Sequence, residues 1–346
     1  MLYNSPVQNE SALILLRARL SAITQRLGFP EGKREKMLLV ASELVSNQVK
    51  HADGRGLIQV WQQPGPVLDI FALDYGPGID DFVEARRDGY STTNTLGKGL
   101  GSIDRLSDEL FAYTRCDNAD EGRKWSGTAL LARFSLAGRR NLGREDGAAL
   151  SGYSAPGLEI GLFTRSLADE RFNGDRIYMH TSGETQRWLH LDGLGHGEEA
   201  QAATDNLAAH LTECDTLSEV IEAVDEQLAR TRGAVAIVGE IDMMRNRLRL
   251  LGVGDMHAHV FDRKQVEGVS FPEGILGREH RSPARFDADF GRGHVVVTAS
   301  DGIRRNWNLA NFPGLFSQHP QLIAYLLGNI MGRISDDQSI CVTTIG

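Results

Sequence analysis

The chain has 346 residues, 41% of them hydrophobic and 24% charged, with a formal net charge of -9. That length suits two domains, and the composition is that of a globular chain rather than a disordered or membrane-spanning one. The acid excess lies in residues 157–346, with 18 Lys+Arg against 27 Asp+Glu, while residues 1–137 are balanced at 16 against 17; this excludes the basic footprint of a nucleic-acid binder.

Residues 12–28 and 34–52 carry apolar residues at helical spacing, the second run opened by Pro30-Glu31 and ended near Gly54. GLIQVWQ and VLDIFALD predict two strands around a Pro64-Gly65-Pro66 turn. Residues 75–98 are expected to form a Gly- and Thr-rich loop, 99–110 a helix, and LFAYTR and GTALLARFSL two more strands. The sum is an α/β sandwich with helices on one face of a small, mixed sheet. GRRNLGREDGAALSGYSAP, residues 138–156, has no apolar period and is the expected linker.

Beyond it, LEIGLF, DRIYMHTS, TQRWLHL, AVAIVGEID, RLRLLGVG, MHAHVF, HVVVTAS and SICVTTI predict strands. Residues 197–212, 216–231 and 320–332 predict helices. Two sheets covered by helices follow, and the domains are 1–137 and 157–346. Cys116, Cys214 and Cys341 form no CxxC pair, which suits a reducing cytoplasm and argues against a disulfide framework. MLYNSPVQNE shows no signal-peptide pattern, and the apolar runs are too short for a bilayer. A cytoplasmic protein without membrane or nucleic-acid partners is expected.

Three motifs in residues 40–130 fit together. Glu43 and Asn47, four apart on a helix, share a face; an Asn carbonyl suits Mg²⁺, and a neighbouring Glu suits general-base work. Asp74 ends a strand before Gly76 and Gly78, so its carboxylate can accept from an exocyclic amine while the glycines admit a ring. Gly97, Lys98, Gly99, Leu100 and Gly101 lead into a helix whose first amides suit phosphate. Each motif alone also fits a solvated face or an ordinary turn.

In this order, and with Gly127-Thr128 after them, the motifs resemble the GHKL (Bergerat) ATP-binding fold over residues 12–136. DYGPGIDDFVEARRDGYSTTNTLGKGLGSIDRLSDE is similar to the small switch kinases of bacterial partner switching. That resemblance implies ATP as cofactor, Asn47 on Mg²⁺, Asp74 on adenine, residues 80–97 as lid, Thr128 in the pocket and Glu43 as base. The implied substrate is a Ser/Thr of a STAS-domain protein. A sensor histidine kinase would need a phosphoacceptor helix pair upstream, and only about a dozen residues precede the first helix.

In the second half, four segments place acids beside predicted strands: NGDRIY (Asp175), LDGLGHG (Asp192), ASDGI (Asp301) and ISDDQSI (Asp336, Asp337). A single Asp-Gly there is most often a turn. Together, carboxylates and one backbone carbonyl are the ligands Mg²⁺ or Mn²⁺ prefers. Their order and spacing resemble the PPM-type metal-dependent Ser/Thr phosphatases in their compact, SpoIIE-like bacterial branch, over residues 157–346. The resemblance implies an α-β-β-α sandwich, Asp192 bridging two metals, the Gly193 carbonyl on one, Asp301 and Asp337 on the second, and Asp175 near the first. His196, four residues after Asp192, is either a general acid or a helix cap. His257 and His259 alternate with apolar residues and are expected to be strand positions.

Two functions follow from the pair of resemblances. One is a bifunctional kinase and phosphatase acting on a STAS-domain partner of the anti-sigma-factor-antagonist type. The other is a phosphatase whose first domain binds ATP and docks a partner, such as an anti-sigma factor or another enzyme.

Overall fold

The computed structural model of the chain describes residues 1–85, 99–116, 125–136, 155, 157–262, 265–307 and 309–346. Two compact units, Met1–Leu150 and Ser151–Gly346, make up the chain. The 138–156 segment lies outside the described residues except Ala155. That residue is buried in the second unit's core and donates its N–H to Gln186 Oε1, so this unit begins before residue 157.

The first unit runs β1 (Tyr3–Val7), α1 (Ala12–Arg26), α2 (Glu31–His51), β2 (Gly56–Gln63), β3 (Val67–Asp74), α3 (Phe82–Ala85), α4 (Gly99–Leu106), β4 (Glu109–Arg115) and β5 (Gly127–Ser135). Its sheet has the order β1-β2-β3-β5-β4, and every pairing is antiparallel rather than mixed. Met37, Val40, Ala41, Leu44 and Val45 of α2 recur at helical spacing and face alternate residues of the sheet, Ile58, Val60, Ile70, Ala72, Leu130 and Ala132. Each larger side chain so buried stabilises by about 1.5–3 kcal/mol before entropy is subtracted. Helix α2 starts three residues earlier than its apolar run because Pro30 stands at its N-cap. Helix α4 stops at Leu106, not residue 110, because Glu109 already pairs with Arg133 in the sheet.

The second unit continues with β6 (Leu158–Arg165), β7 (Arg176–Ser182), β8 (Thr185–Gly193), α5 (Glu198–Thr204), α6 (His210–Glu213), α7 (Leu217–Leu228), β9 (Ala234–Asp242), β10 (Arg247–Val253), β11 (His257–Phe261), β12 (Val266–Ser270), β13 (Ala284–Asp289), β14 (Val295–Ala299), α8 (Pro320–Met331) and β15 (Gln338–Ile345). Two five-stranded antiparallel sheets form, β13-β10-β9-β8-β7 and β12-β11-β14-β15-β6. Strand β9 is buried along its whole length because both its faces are covered. Ile237 and Ile241 point into the inter-sheet core with Ala258, Val260, Val296 and Cys341. Ala236 and Val238 face Val220, Val224 and Leu228 of α7. Helix α8 covers the other sheet, seated on β6 and β15. The unit is therefore an α-β-β-α sandwich. The helix expected over 197–212 is two, broken around Asn206, whose φ is +65°. Among the described residues no helix is long and apolar enough to cross a membrane, which says nothing of a β-barrel.

Candidate functional sites

In the first unit the antiparallel register carries Asp74 to the end of β3, opposite Gly56. Asp74 Oδ1 accepts the backbone N–H of Gly76 at 2.9 Å and that of Thr128 at 3.0 Å. The Trp125 indole N–H donates to the Asp74 carbonyl at 3.0 Å. Burial raises the Asp74 pKa, against the pull of the Gly76 and Thr128 amides and the charges of His51 and Arg55. One oxygen is thus fixed by the main chain and the other is left to a ligand. Gly127 (φ +141°) is forced: a Cβ there would stand 2.2 Å from the Asp74 carbonyl oxygen.

Glu43 and Asn47 lie half-buried on α2 and converge on the start of α4. A Cβ on Gly99 would be 3.3 Å from Asn47 Oδ1 and 3.7 Å from Glu43 Oε2. Gly101 is buried, and Leu100 packs against the unit's core. Gly76 and Gly78 sit in the turn after Asp74, Gly78 with φ +81°. Gly97, Lys98 and most of the expected lid, residues 86–97, lie outside the described residues.

In the second unit Asp175 directly precedes β7 and Asp192 rides on β8, both in one sheet. Asp301 follows β14, and Asp336 and Asp337 precede β15, in the other. Asp175 is 1% exposed. Burial pushes its pKa up to about 7, with Asp337 and Asp336 adding repulsion to two opposing hydroxyl bonds. Asp192 rises well above the usual carboxylate range through burial first, then the charges of Asp175, Asp301, Asp336 and Asp255. Asp301 rises to about 6, again by burial first and then by Asp255 and Asp336. These carboxylates therefore share one low-dielectric neighbourhood.

Asp337 does not face this centre as an open carboxylate. Its Oδ1 accepts the N–H of Leu167 and its Oδ2 that of Gly174, each at 2.7 Å. It is 2% exposed and works as a clasp for the 167–174 segment. Its neighbour Asp336, half-buried, is the one whose charge acts on Asp192 and Asp301. Asp337, expected on the second metal, thus has a main-chain amide on each oxygen, and adjacent residues of an extended chain point to opposite sides.

The backbone is built for the same centre. A Cβ on Gly193 would be 2.6 Å from the Ala200 carbonyl oxygen, and one on Gly302 would be 1.8 Å from that of Asp337. Glycine at these positions lets Asp192 and Asp301 approach. His196 is exposed, and α5 begins at Glu198, after Gly197 at its N-cap, with no side-chain cap. His196 is therefore not engaged as a cap, and its charge acts on Asp336.

Asp175 Oδ1 is buried with no hydrogen-bond partner among the described residues. An orphaned carboxylate oxygen beside four further carboxylates fits a hard cation held by oxygen ligands. Among the described residues no three such side chains stand as a ready-formed coordination shell.

Residues 7–126 match the model of the histidine kinase-like ATPase domain. The serine/threonine-protein kinase RsbT of Bacillus subtilis is 34% identical over 107 residues, which are 30% of this chain and 80% of that protein. Through its first unit, the chain belongs to the RsbT family of histidine kinase-like ATPases.

Beside this RsbT-like unit, similarity to solved structures extends over more than half the chain. A chain from a bacterial stressosome, a modular system adapted to control secondary messenger signaling, is 26% identical with a TM-score of 0.49, covering 54% of this chain and 98% of that one. RsbX in complex with magnesium is 16% identical with a TM-score of 0.48, covering 55% and 96%. The PP2C phosphatase domain and a regulatory fragment of SpoIIE from Bacillus subtilis are 14% identical with a TM-score of 0.45, covering 97% and 95%.

Three residues escaped the sequence reading. Asp255 follows Gly254 (φ +100°) in the turn before β11, and its charge acts on Asp192 and Asp301. His190 and Ser339 hold Asp175 from opposite sheets. The Ser339 hydroxyl donates to Asp175 Oδ2 at 2.6 Å, His190 Nε2 meets Ser339 Oγ at 2.7 Å, and His190 Nδ1 meets Thr298 Oγ1 at 2.9 Å. Burial lowers the His190 pKa to about 3, so the ring is neutral. A neutral ring, with Ser339 donating to Asp175, requires Nε2 to carry the proton and Nδ1 to accept from Thr298. The one available signal was the alternation His190, Asp192 on a buried strand, which places both on the inter-sheet side.

Proposed function

We propose that the chain writes and erases a phosphate on a Ser/Thr of a STAS-domain protein, and so acts as a cytoplasmic partner-switching regulator. An anti-sigma factor or a downstream enzyme would read the outcome. The observation that carries this reading is the presence, in one chain, of an RsbT-like ATPase unit and a sandwich whose strand-end carboxylates Asp175, Asp192, Asp301 and Asp336, from both sheets, lie near enough to repel one another.

In the RsbT-like unit, Asp74 accepts the adenine amine through the oxygen its amides leave open, with Gly76, Gly78 and Thr128 around the base. Asn47 would hold the Mg²⁺ of ATP, and Gly99, Leu100 and Gly101, with Gly97 and Lys98 before them in the sequence, would receive its phosphates. Glu43 takes the proton of the target hydroxyl.

In the second unit, Asp175, Asp192, the Gly193 carbonyl, Asp301 and Asp336 would hold Mg²⁺ or Mn²⁺, Asp336 standing where Asp337 was expected. Such ions, when bound, supply charge for the phosphate and an acidified water. The chain's own residues do the rest. Ser339 and His190 fix Asp175, Gly193 and Gly302 allow the approach, and His196 would give a proton to the leaving Ser/Thr oxygen. Removing about two negative charges from the partner is enough to switch an interface.

The test uses full-length protein, labelled ATP and a STAS-domain partner, with Asp192→Asn present to stop erasure. Phosphate should accumulate on Ser/Thr and be released by wild-type protein with Mn²⁺. ATP binding without transfer to any STAS partner sinks the writing half. Undiminished release by both Asp192→Asn and Asp301→Asn sinks the erasing half.

A further inference from the structure

A cleft of about 660 Å³ opens on the second unit, on the helix-bearing face of the β13-β10-β9-β8-β7 sheet. It lies where β8 starts, β9 ends and α7 begins. Arg187 in the cleft and Asp192 are five residues apart on β8, about 17 Å along a strand. The cleft is therefore separate from the carboxylate cluster.

Its walls run against the charge of the unit around it. Four arginines and three acids line it, in a half of the chain where acids outnumber bases 27 to 18. Glu240, 4% exposed, is gripped by Arg187 Nε at 2.7 Å and Arg249 Nη2 at 2.8 Å, so one carboxylate faces two guanidiniums. Arg187 is fully engaged, its Nη1 and Nη2 donating to the carbonyls of Cys214 and Asp215 just ahead of α7. Arg249 reaches Glu240 through Nη2, and its side chain is 33% exposed. Arg285, on the neighbouring β13, holds Asp287 through Nε and Nη2. Asp242 is paired with Arg245 at 3.0 Å, which leaves Asp215 as the lining acid without a guanidinium on its carboxylate.

The opposite wall is the first turn of the 12-residue helix α7. Thr216 and Glu219 close a reciprocal capping box there. Leu217 and Ser218, the first two helical residues, line the cleft, and their N–H groups have no intrahelical acceptor. Leu211, Leu217 and Leu251 supply an apolar surface between the walls.

We propose that this cleft binds a small phosphorylated anion. Its phosphate takes Arg249, Arg285 and the first amides of α7, and its organic part lies on Leu211, Leu217 and Leu251. Guanidinium forks and a helix N-terminus are the donors that phosphate prefers, and the volume is that of a small-molecule site. Bound there, the anion ties α7 to β10 and β13, elements of the sheet that carries Asp192. The site stands independently of the kinase and phosphatase reading.

The experiment is calorimetry on the full chain in EDTA, with inorganic pyrophosphate and fructose 1,6-bisphosphate as probes. At least one should bind saturably, about tenfold more weakly to Arg249→Gln and to Arg285→Gln, and unchanged to Asp192→Asn and Asp74→Asn. The Arg285 side chain is 64% exposed, so Arg285→Gln keeps the test open if Arg249→Gln fails to fold. Three results overturn the proposal: no saturable binding of either probe, binding that both arginine variants leave intact, or binding of a phosphopeptide with neither probe bound.

Discussion

Ser339 donates to Asp175 across the gap between two sheets, at 2.6 Å, and receives the Nε2 proton of His190 in return. This hydroxyl, with that of Ser300, thus helps to fix the most buried carboxylate of the cluster. Ser339→Ala leaves Asp175 Oδ2 without its donor and is expected to cost about 1–3 kcal/mol of stability. It should also weaken Mn²⁺ binding roughly 10- to 100-fold. Urea unfolding and metal titration check both, and Ser339→Thr should restore the metal affinity if the hydroxyl is what matters.

Asp336 and Asp337 separate by role. Asp337→Asn disturbs the acceptors of the Leu167 and Gly174 amides, and should destabilise by about 1–3 kcal/mol. Asp336→Asn should leave the unfolding midpoint nearly unchanged and lower metal-dependent phosphate release by at least about 100-fold. The opposite pattern would return the ligand role to Asp337.

Asp74→Asn keeps one oxygen for the Gly76 and Thr128 amides and replaces the open oxygen by an NH₂ group. The variant should fold like the wild type and lose ATP affinity by about 100-fold or more, because two donors would meet at the adenine amine. Nucleotide titration beside a thermal melt distinguishes this from unfolding.

His259 is buried against Trp307, Phe261 and His257, its Nδ1 without a partner among the described residues. Burial, and then Arg305, lowers its pKa from 6.5 to about 4. The unfolded chain therefore binds the proton first as pH falls below 6.5. Stability is fully present above that value and is lost on acidification towards 4. At pH 5.5 the loss from this one ring is about 1 kcal/mol. His259→Phe should flatten that part of the acid limb in urea unfolding at pH 7.5 and 5.5; an unchanged limb would show that the ring is not buried neutral.

The sequence carried the long buried strands and the helices well, because their apolar period is set by the cores they face. It did not carry β1, β12 and β13. These are sheet edges, and ARFDAD alternates half-buried and exposed residues with only one face engaged. The 197–212 helix read as one because its apolar period survives the break, while Asn206 takes a positive φ that periodicity does not register. The cluster was legible as Asp-Gly pairs at strand ends. Which of two adjacent aspartates faces it was not, since that depends on the pairing of Gln338 with Arg165 in a strand 173 residues away. Asp255 was hidden for a similar reason: only the fold brings the turn before β11 to the end of β8.

Asp175 and Asp192 belong to one sheet, Asp301 and Asp336 to the other. The cluster thus works as the jaws of a caliper whose opening is set by the thickness of the packing between the sheets. A substitution far from the jaws, at Trp188 or Cys341 in that packing, would be read out as a change in the spacing of the carboxylates. Conversely, a cation gripped by the jaws would brace the whole sandwich, so that cation removal should loosen both sheets together rather than one loop.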